Sequence, residues 1–79
     1  MMRYLAKYAA QLRRRGWVYS SDLLGEYAQR GQRRVSVMRV GPLFDVYVND
    51  HVNGAWAQVF KQTGLMTIEQ VIQVLNAYL

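Results

Sequence analysis

Leu43-Phe44-Asp45-Val46-Tyr47-Val48-Asn49-Asp50-His51-Val52-Asn53-Gly54-Ala55-Trp56-Ala57-Gln58-Val59-Phe60-Lys61 reads as two strands joined by a tight turn. From Leu43 to Val52 apolar and polar residues alternate, the period-two pattern of a strand with one buried face. Asn53-Gly54 suits a type I′ hairpin turn, whose two central residues both need positive φ. A two-residue turn there sets the expected register: Val52 opposite Ala55, His51 opposite Trp56, Asn49 opposite Gln58, Val48 opposite Val59, and Tyr47 opposite Phe60. One face then carries Phe44, Val46, Val48, Val52, Ala55, Ala57 and Val59. The other carries Tyr47, His51, Trp56 and Phe60, with Asn49 and Gln58 between them.

Outward from the hairpin, Arg33 to Val40 is β-branched and partly alternating, and Gly41-Pro42 turns it into the next strand. Ala55 to Lys61 is the third strand. Upstream, Ser20 or Ser21 is positioned to cap a helix over about Asp22 to Arg30, with Leu23, Leu24, Tyr27 and Ala28 on its apolar side and Glu26 attracting Arg30 one turn on. Gly25 weakens that helix by up to about 1 kcal/mol relative to alanine. A first helix is expected from about Met2 to Arg15, where Leu5, Ala9 and Leu12 form a stripe, Arg13 to Arg15 fill the last turn and Gly16 stops it. A last helix is expected from Ile68 to about Tyr78, with Thr67 and Gln70 as a capping box and Met66 stapled onto Val71. The expected fold is α+β in the order α-α-β-β-β-α, a three-stranded antiparallel sheet packed with three helices, in one domain spanning residues 1–79.

The composition is globular: 79 residues, 52% hydrophobic and 13% aromatic, with no cysteine. A disulfide framework and a thiolate metal site are excluded, which suits a reducing compartment. Lys7 and Gln11 interrupt the N-terminal apolar run, and no stretch approaches the roughly 20 apolar residues of a membrane span. A cytoplasmic protein with no membrane association is expected. The net charge of +5 is uneven: residues 1–39 carry +7 and residues 40–79 carry −2. Such asymmetry points to a polyanionic or acidic partner for one half, or to a solvated face.

Catalysis has little to draw on. His51 is the one histidine, no serine sits in a nucleophile motif, the five carboxylates are scattered, and Gly-x-x-x-x-Gly-Lys is absent. No enzyme activity, cofactor or metal is expected. Binding has more. Arg13, Arg14 and Arg15 end the first helix, Arg33 and Arg34 open the first strand, and Arg39 lies near its end; a helix packed beside that strand joins them in one patch suited to phosphates. Tyr47 and Trp56, with Phe60, form an aromatic row. On an open sheet face such residues stack on bases or anchor a protein partner. Beneath helices they are core, as Trp17 and Tyr19 are expected to be at a helix–sheet junction.

The order helix, three strands, helix resembles the double-stranded-RNA-binding domain, with Tyr4 to Gly16, Arg33 to Lys61 and Thr67 to Leu79 as the corresponding parts. That family carries a lysine cluster at the start of its last helix, where this chain has Gly64-Leu65-Met66-Thr67, so no binding residues are carried over. The small size, the cysteine-free α+β plan and the lack of a catalytic motif resemble the anti-CRISPR proteins of phages and mobile elements. That resemblance implies a stoichiometric inhibitor docking on a nucleic-acid-guided complex. The expected partner is thus a protein or ribonucleoprotein, with direct binding of nucleic acid through the arginines as the alternative, and a homodimer through a sheet face or edge strand as a further option.

Overall fold

The structure is a computed structural model and describes residues 5–79. After a 3-10 turn at Ala6–Tyr8, the elements are α1 (Ala9–Arg14), β1 (Val18–Ser21), β2 (Gly25–Arg30), β3 (Arg33–Val40), β4 (Leu43–Val52), β5 (Ala55–Leu65) and α2 (Ile68–Leu75). The strands form one five-stranded antiparallel meander in sequence order. The expected three-stranded sheet with three helices is therefore corrected to five strands and two α-helices. The helix expected over Asp22 to Arg30 is a turn followed by β2, and the connector before it supplies β1.

The reason is visible in which side chains are buried. Glu26 and Ala28 are buried while Tyr27 and Gln29 are half-exposed, which is period two. Leu23 and Leu24, which lent the segment its helical appearance, belong to the turn and stand in solvent. Ser20 and Ser21, expected to cap a helix, are the last residues of β1, and Asp22 closes the turn after them: its Oδ1 accepts from the Leu24 and Gly25 N–H groups at 2.8 and 3.0 Å. Gly25 faces Met38, and a β-carbon there would lie 2.6 Å from the Val37 carbonyl oxygen. The close approach of β3 explains the glycine, where a helix offers no such reason.

The hairpin turn forms as expected, with Asn53 and Gly54 at φ 52° and 81°. The register holds from Val52–Ala55 through Asn49–Gln58 and then slips, because Val59 is an extra residue and Val48 pairs with Phe60. This bulge moves Phe60 off the face of Trp56 and onto the buried face, where it packs 4.8 Å from Tyr78. A second irregularity before Leu65 is held by Asp45, which accepts from Gly64 N–H at 3.1 Å. β5 runs on to Leu65, past the Lys61 end expected for the strand.

One face of the sheet carries Ala28, Val35, Val37, Phe44, Val46 and Val48, and against it pack Leu5 and Leu12 from the N-terminal helical segment and Val71 and Leu75 from α2. The helix expected from Met2 is α-helical over Ala9–Arg14, and Met2 to Tyr4 lie outside the described residues. The capping box of Thr67 and Gln70 forms, but Met66 stays 68% exposed and does not staple. The last helix ends at Leu75, with its expected final turn loosened to single hydrogen bonds through Leu79.

The two readings of Gly25 predict opposite outcomes for Gly25→Ala. In a helix it would add up to about 1 kcal/mol of stability. In this sheet it is expected to remove about 1–3 kcal/mol by forcing β2 from β3, measured as the urea unfolding midpoint.

Candidate functional site

Pairing across five strands places a defined set of side chains on the face opposite the helices. One row reads Val18, Gln29, Arg34, Asn49, Gln58; the next reads Ser20, Tyr27, Ser36, Tyr47, Lys61. Tyr27 and Tyr47 flank Ser36, the small residue between them, and bury it. His51 pairs with Trp56 at the end of the sheet near the Asn53-Gly54 turn. Among the described residues no helix lies over this face.

The face is internally organised. The Arg34 guanidinium stacks 4.6 Å above the Trp56 ring and is also held by Gln29 Oε1 at 3.3 Å through two nitrogens. The His51 ring meets Trp56 edge-on at 5.1 Å, and its Nδ1 lies 3.1 Å from Gln32 Oε1. Lys61 Nζ sits 6.0 Å over the Tyr47 ring, and the Tyr47 hydroxyl donates to Asp45. Burial and the neighbouring Asp45 push the Tyr47 hydroxyl pKa up; burial and Asp22 do the same to Tyr27. Both phenols therefore stay neutral donors at physiological pH. Beside β1 and β2 lies an open groove of about 690 Å³, lined among others by Tyr27, Gln29, Arg30, Arg34 and the glycines Gly16 and Gly31.

Of the residues singled out from sequence, the structure brings Arg34, Tyr47 and Trp56 together on this face. Arg13, Arg14 and Arg15 end α1 on the helical side of the sheet, at the same end as the β2–β3 turn; Arg15 donates to the Leu79 carbonyl at 2.9 Å. Arg33 also lies at that end but on the helix-covered face, where it makes a two-pronged ion pair with Asp50 at 2.8 and 2.9 Å. Arg39 stands at the opposite end of β3, bonded to the Gly41 carbonyl and stacked 5.4 Å over Phe44. The arginines do not make one continuous stripe. Arg30, which sequence reasoning did not include, joins the basic end: it stacks 4.8 Å over buried Trp17 and donates to the Arg15 carbonyl. Tyr27, Gln29 and Lys61 were also missed; the first two lie in the segment that reads as a helix. Glu26-Tyr27-Ala28-Gln29 shows no apolar–polar alternation in sequence, because the buried position ahead of Ala28 is a glutamate, so no local signal marks Tyr27 and Gln29 as facing the open side.

The arrangement offers stacking, hydrogen-bonding and cationic groups without a nucleophile–base pair. Among the described residues no cluster of three or more His, Asp or Glu side chains is placed to hold a metal ion, and no helix is long and apolar enough to cross a membrane. No protein-family model matches the chain, and no curated protein or solved structure is measurably similar to it.

The Arg33 bonds hold the Asp50 carboxyl below its usual range. A depressed carboxylate contributes stability that is present above its unfolded pKa, about 3.9, and is lost as pH falls through the folded value. Asp50→Asn is expected to lower the melting temperature at pH 7 and to flatten its decline below about pH 4, measured by thermal unfolding from neutral to strongly acidic pH.

Proposed function

We propose that this chain is a non-enzymatic binding protein that docks its open sheet face, together with the basic end beside it, onto a macromolecular partner and blocks that partner's surface. The observation that carries the reading is the Arg34–Trp56 stack, fixed by Gln29 and His51 on a face no described helix covers. Tryptophan, tyrosine and arginine are the side chains that dominate binding energy at protein interfaces. Here they are already ordered, which lowers the entropy lost on docking. The partner surface complementary to this basic end is acidic.

The size, the cysteine-free α+β plan and the absence of a catalytic motif support a nucleic-acid-guided nuclease complex as the partner class, in the manner of anti-CRISPR proteins. The second reading is direct binding of single-stranded nucleic acid, favoured by Trp56, Tyr47 and Tyr27 as stacking platforms beside Arg34 and Lys61. Against it, Arg33 is neutralised by Asp50, and Arg30 and Arg34 are anchored on Trp17 and Trp56.

The test titrates the protein into a reconstituted RNA-guided nuclease reaction and, separately, into labelled single-stranded DNA and RNA over a salt series. The proposal expects loss of cleavage near one equivalent, and recovery of cleavage with Trp56→Ala or Arg34→Ala, each weakening docking by about 2 kcal/mol or more. Submicromolar oligonucleotide affinity that falls by several powers of salt concentration, with no effect on protein-only complexes, would replace it with the nucleic-acid reading.

A further inference from the structure

The two helices share the covered face of the sheet and leave a cleft between them. Leu5, Tyr8 and Leu12 recur at three- and four-residue spacing along the N-terminal helical segment, and Ile72, Leu75 and Leu79 do the same along α2 and the turn after it. These two stripes are the walls of a cavity of about 200 Å³. Its floor is Ala28 of β2 with Val35, its partner on β3. The short side chain of Ala28 keeps that floor low.

The buried part of the lining is wholly apolar, whereas Gln11, Arg15 and Asn76 stand exposed at its outer edge. Among the described residues, Arg15 is the one charged side chain in the lining, and no carboxylate accompanies it. Its Nη2 donates to the Leu79 carbonyl oxygen at 2.9 Å, which holds the guanidinium across the mouth from one wall to the other. That bond uses one of five guanidinium N–H donors. The dimensions are as selective as the charge. Each wall runs seven residues, from Leu5 to Leu12 and from Ile72 to Leu79, or roughly 10 Å. A volume of about 200 Å³ over that length gives a cross-section of about 20 Å², that of one extended alkyl chain. An apolar cavity of about 150 Å³ accepts the six carbons of benzene, so this one holds about eight.

We propose that this cleft binds a free, unbranched aliphatic carboxylate of about eight carbons, its chain laid over Ala28 between the helices and its head on Arg15. A lone cation at the mouth selects an anionic head, and a carboxylate accepts from a guanidinium in a paired geometry that an alcohol or ammonium head cannot match. The amides of Gln11 and Asn76 at the same edge supply further donors. The cleft lies on the opposite side of the sheet from the Arg34–Trp56 stack, and the proposal does not depend on the function proposed above.

Isothermal titration calorimetry of the purified chain with sodium octanoate tests this. One equivalent is expected to bind with a dissociation constant on the order of 0.1 mM. Affinity is expected to rise about fourfold per added methylene from butanoate to octanoate and then to level off once the cleft is full. Octanol is expected to bind about three- to tenfold more weakly than octanoate, and octyltrimethylammonium more weakly still. Arg15→Ala is expected to bring octanoate down to the level of octanol. Ala28→Leu, which raises the floor, is expected to abolish binding; Ile72→Trp does the same from the half-buried wall and serves if Ala28→Leu loses the wild-type circular dichroism spectrum. Absence of binding up to about 5 mM octanoate overturns the proposal. So does equal affinity for the ammonium, a gain that continues unchanged through dodecanoate, or binding that survives the filling of the cleft.

Discussion

The carboxylate of Glu26 is the buried point on which the fold is organised. It lies on the helix-covered face of β2, fully buried, and its Oε1 accepts both the Leu5 N–H at 2.8 Å and the Tyr19 hydroxyl. A buried carboxyl group is costly unless hydrogen-bonded, so the native arrangement is the one that brings these donors to Oε1, while Oε2 is buried without a partner among the described residues. Leu5 belongs to the start of the N-terminal helical segment and Tyr19 to β1, so one residue of β2 ties three segments together. β1 and β2 extend what would have been a three-stranded sheet to five strands. Both helices then sit on the face that holds Glu26, and among the described residues none is left for the other face.

That division decides where binding chemistry can reside. The open face grades from the apolar rim of Leu23, Val40 and Met66, through the Tyr27–Ser36–Tyr47 row, to the Arg34–Trp56 stack, and the arginines at the end of α1 lie at that same end on the helical side. Several of the described cations are held in place: Arg33 is clamped to Asp50, and Arg30 and Arg34 lie over tryptophan rings. A surface of ordered aromatic and guanidinium groups is built for a shaped partner more than for a flexible polyanion alone.

Much of this was legible in the residues. The alternation of β4, the Asn53-Gly54 turn and the Thr67–Gln70 capping box all stand as the sequence implies, since each is a local preference that packing reinforces. Ser20 to Arg30 was not legible, because Leu23, Leu24, Tyr27 and Ala28 fall at helical spacing by the accident of a turn abutting a short strand. A buried glutamate also breaks the apolar alternation that would have announced β2. The bulge at Val59 was equally hidden, since nothing local marks where an edge strand takes an extra residue, and it alone separates Phe60 from Trp56. The site was half visible for the same reasons: Tyr47, Trp56 and Arg34 come from correctly read strands, while Tyr27 and Gln29 come from the misread one.

The central claim is that the sheet has one covered face and one bare face, and the two tryptophans report on them separately. Trp17 is 2% exposed and Trp56 39% exposed. Acrylamide quenching of the Trp17→Phe and Trp56→Phe variants measures each ring alone. The account predicts a blue-shifted, protected Trp17 and a red-shifted, readily quenched Trp56. Equal protection of the two rings at low protein concentration would mean that the second face is covered, and would contradict it.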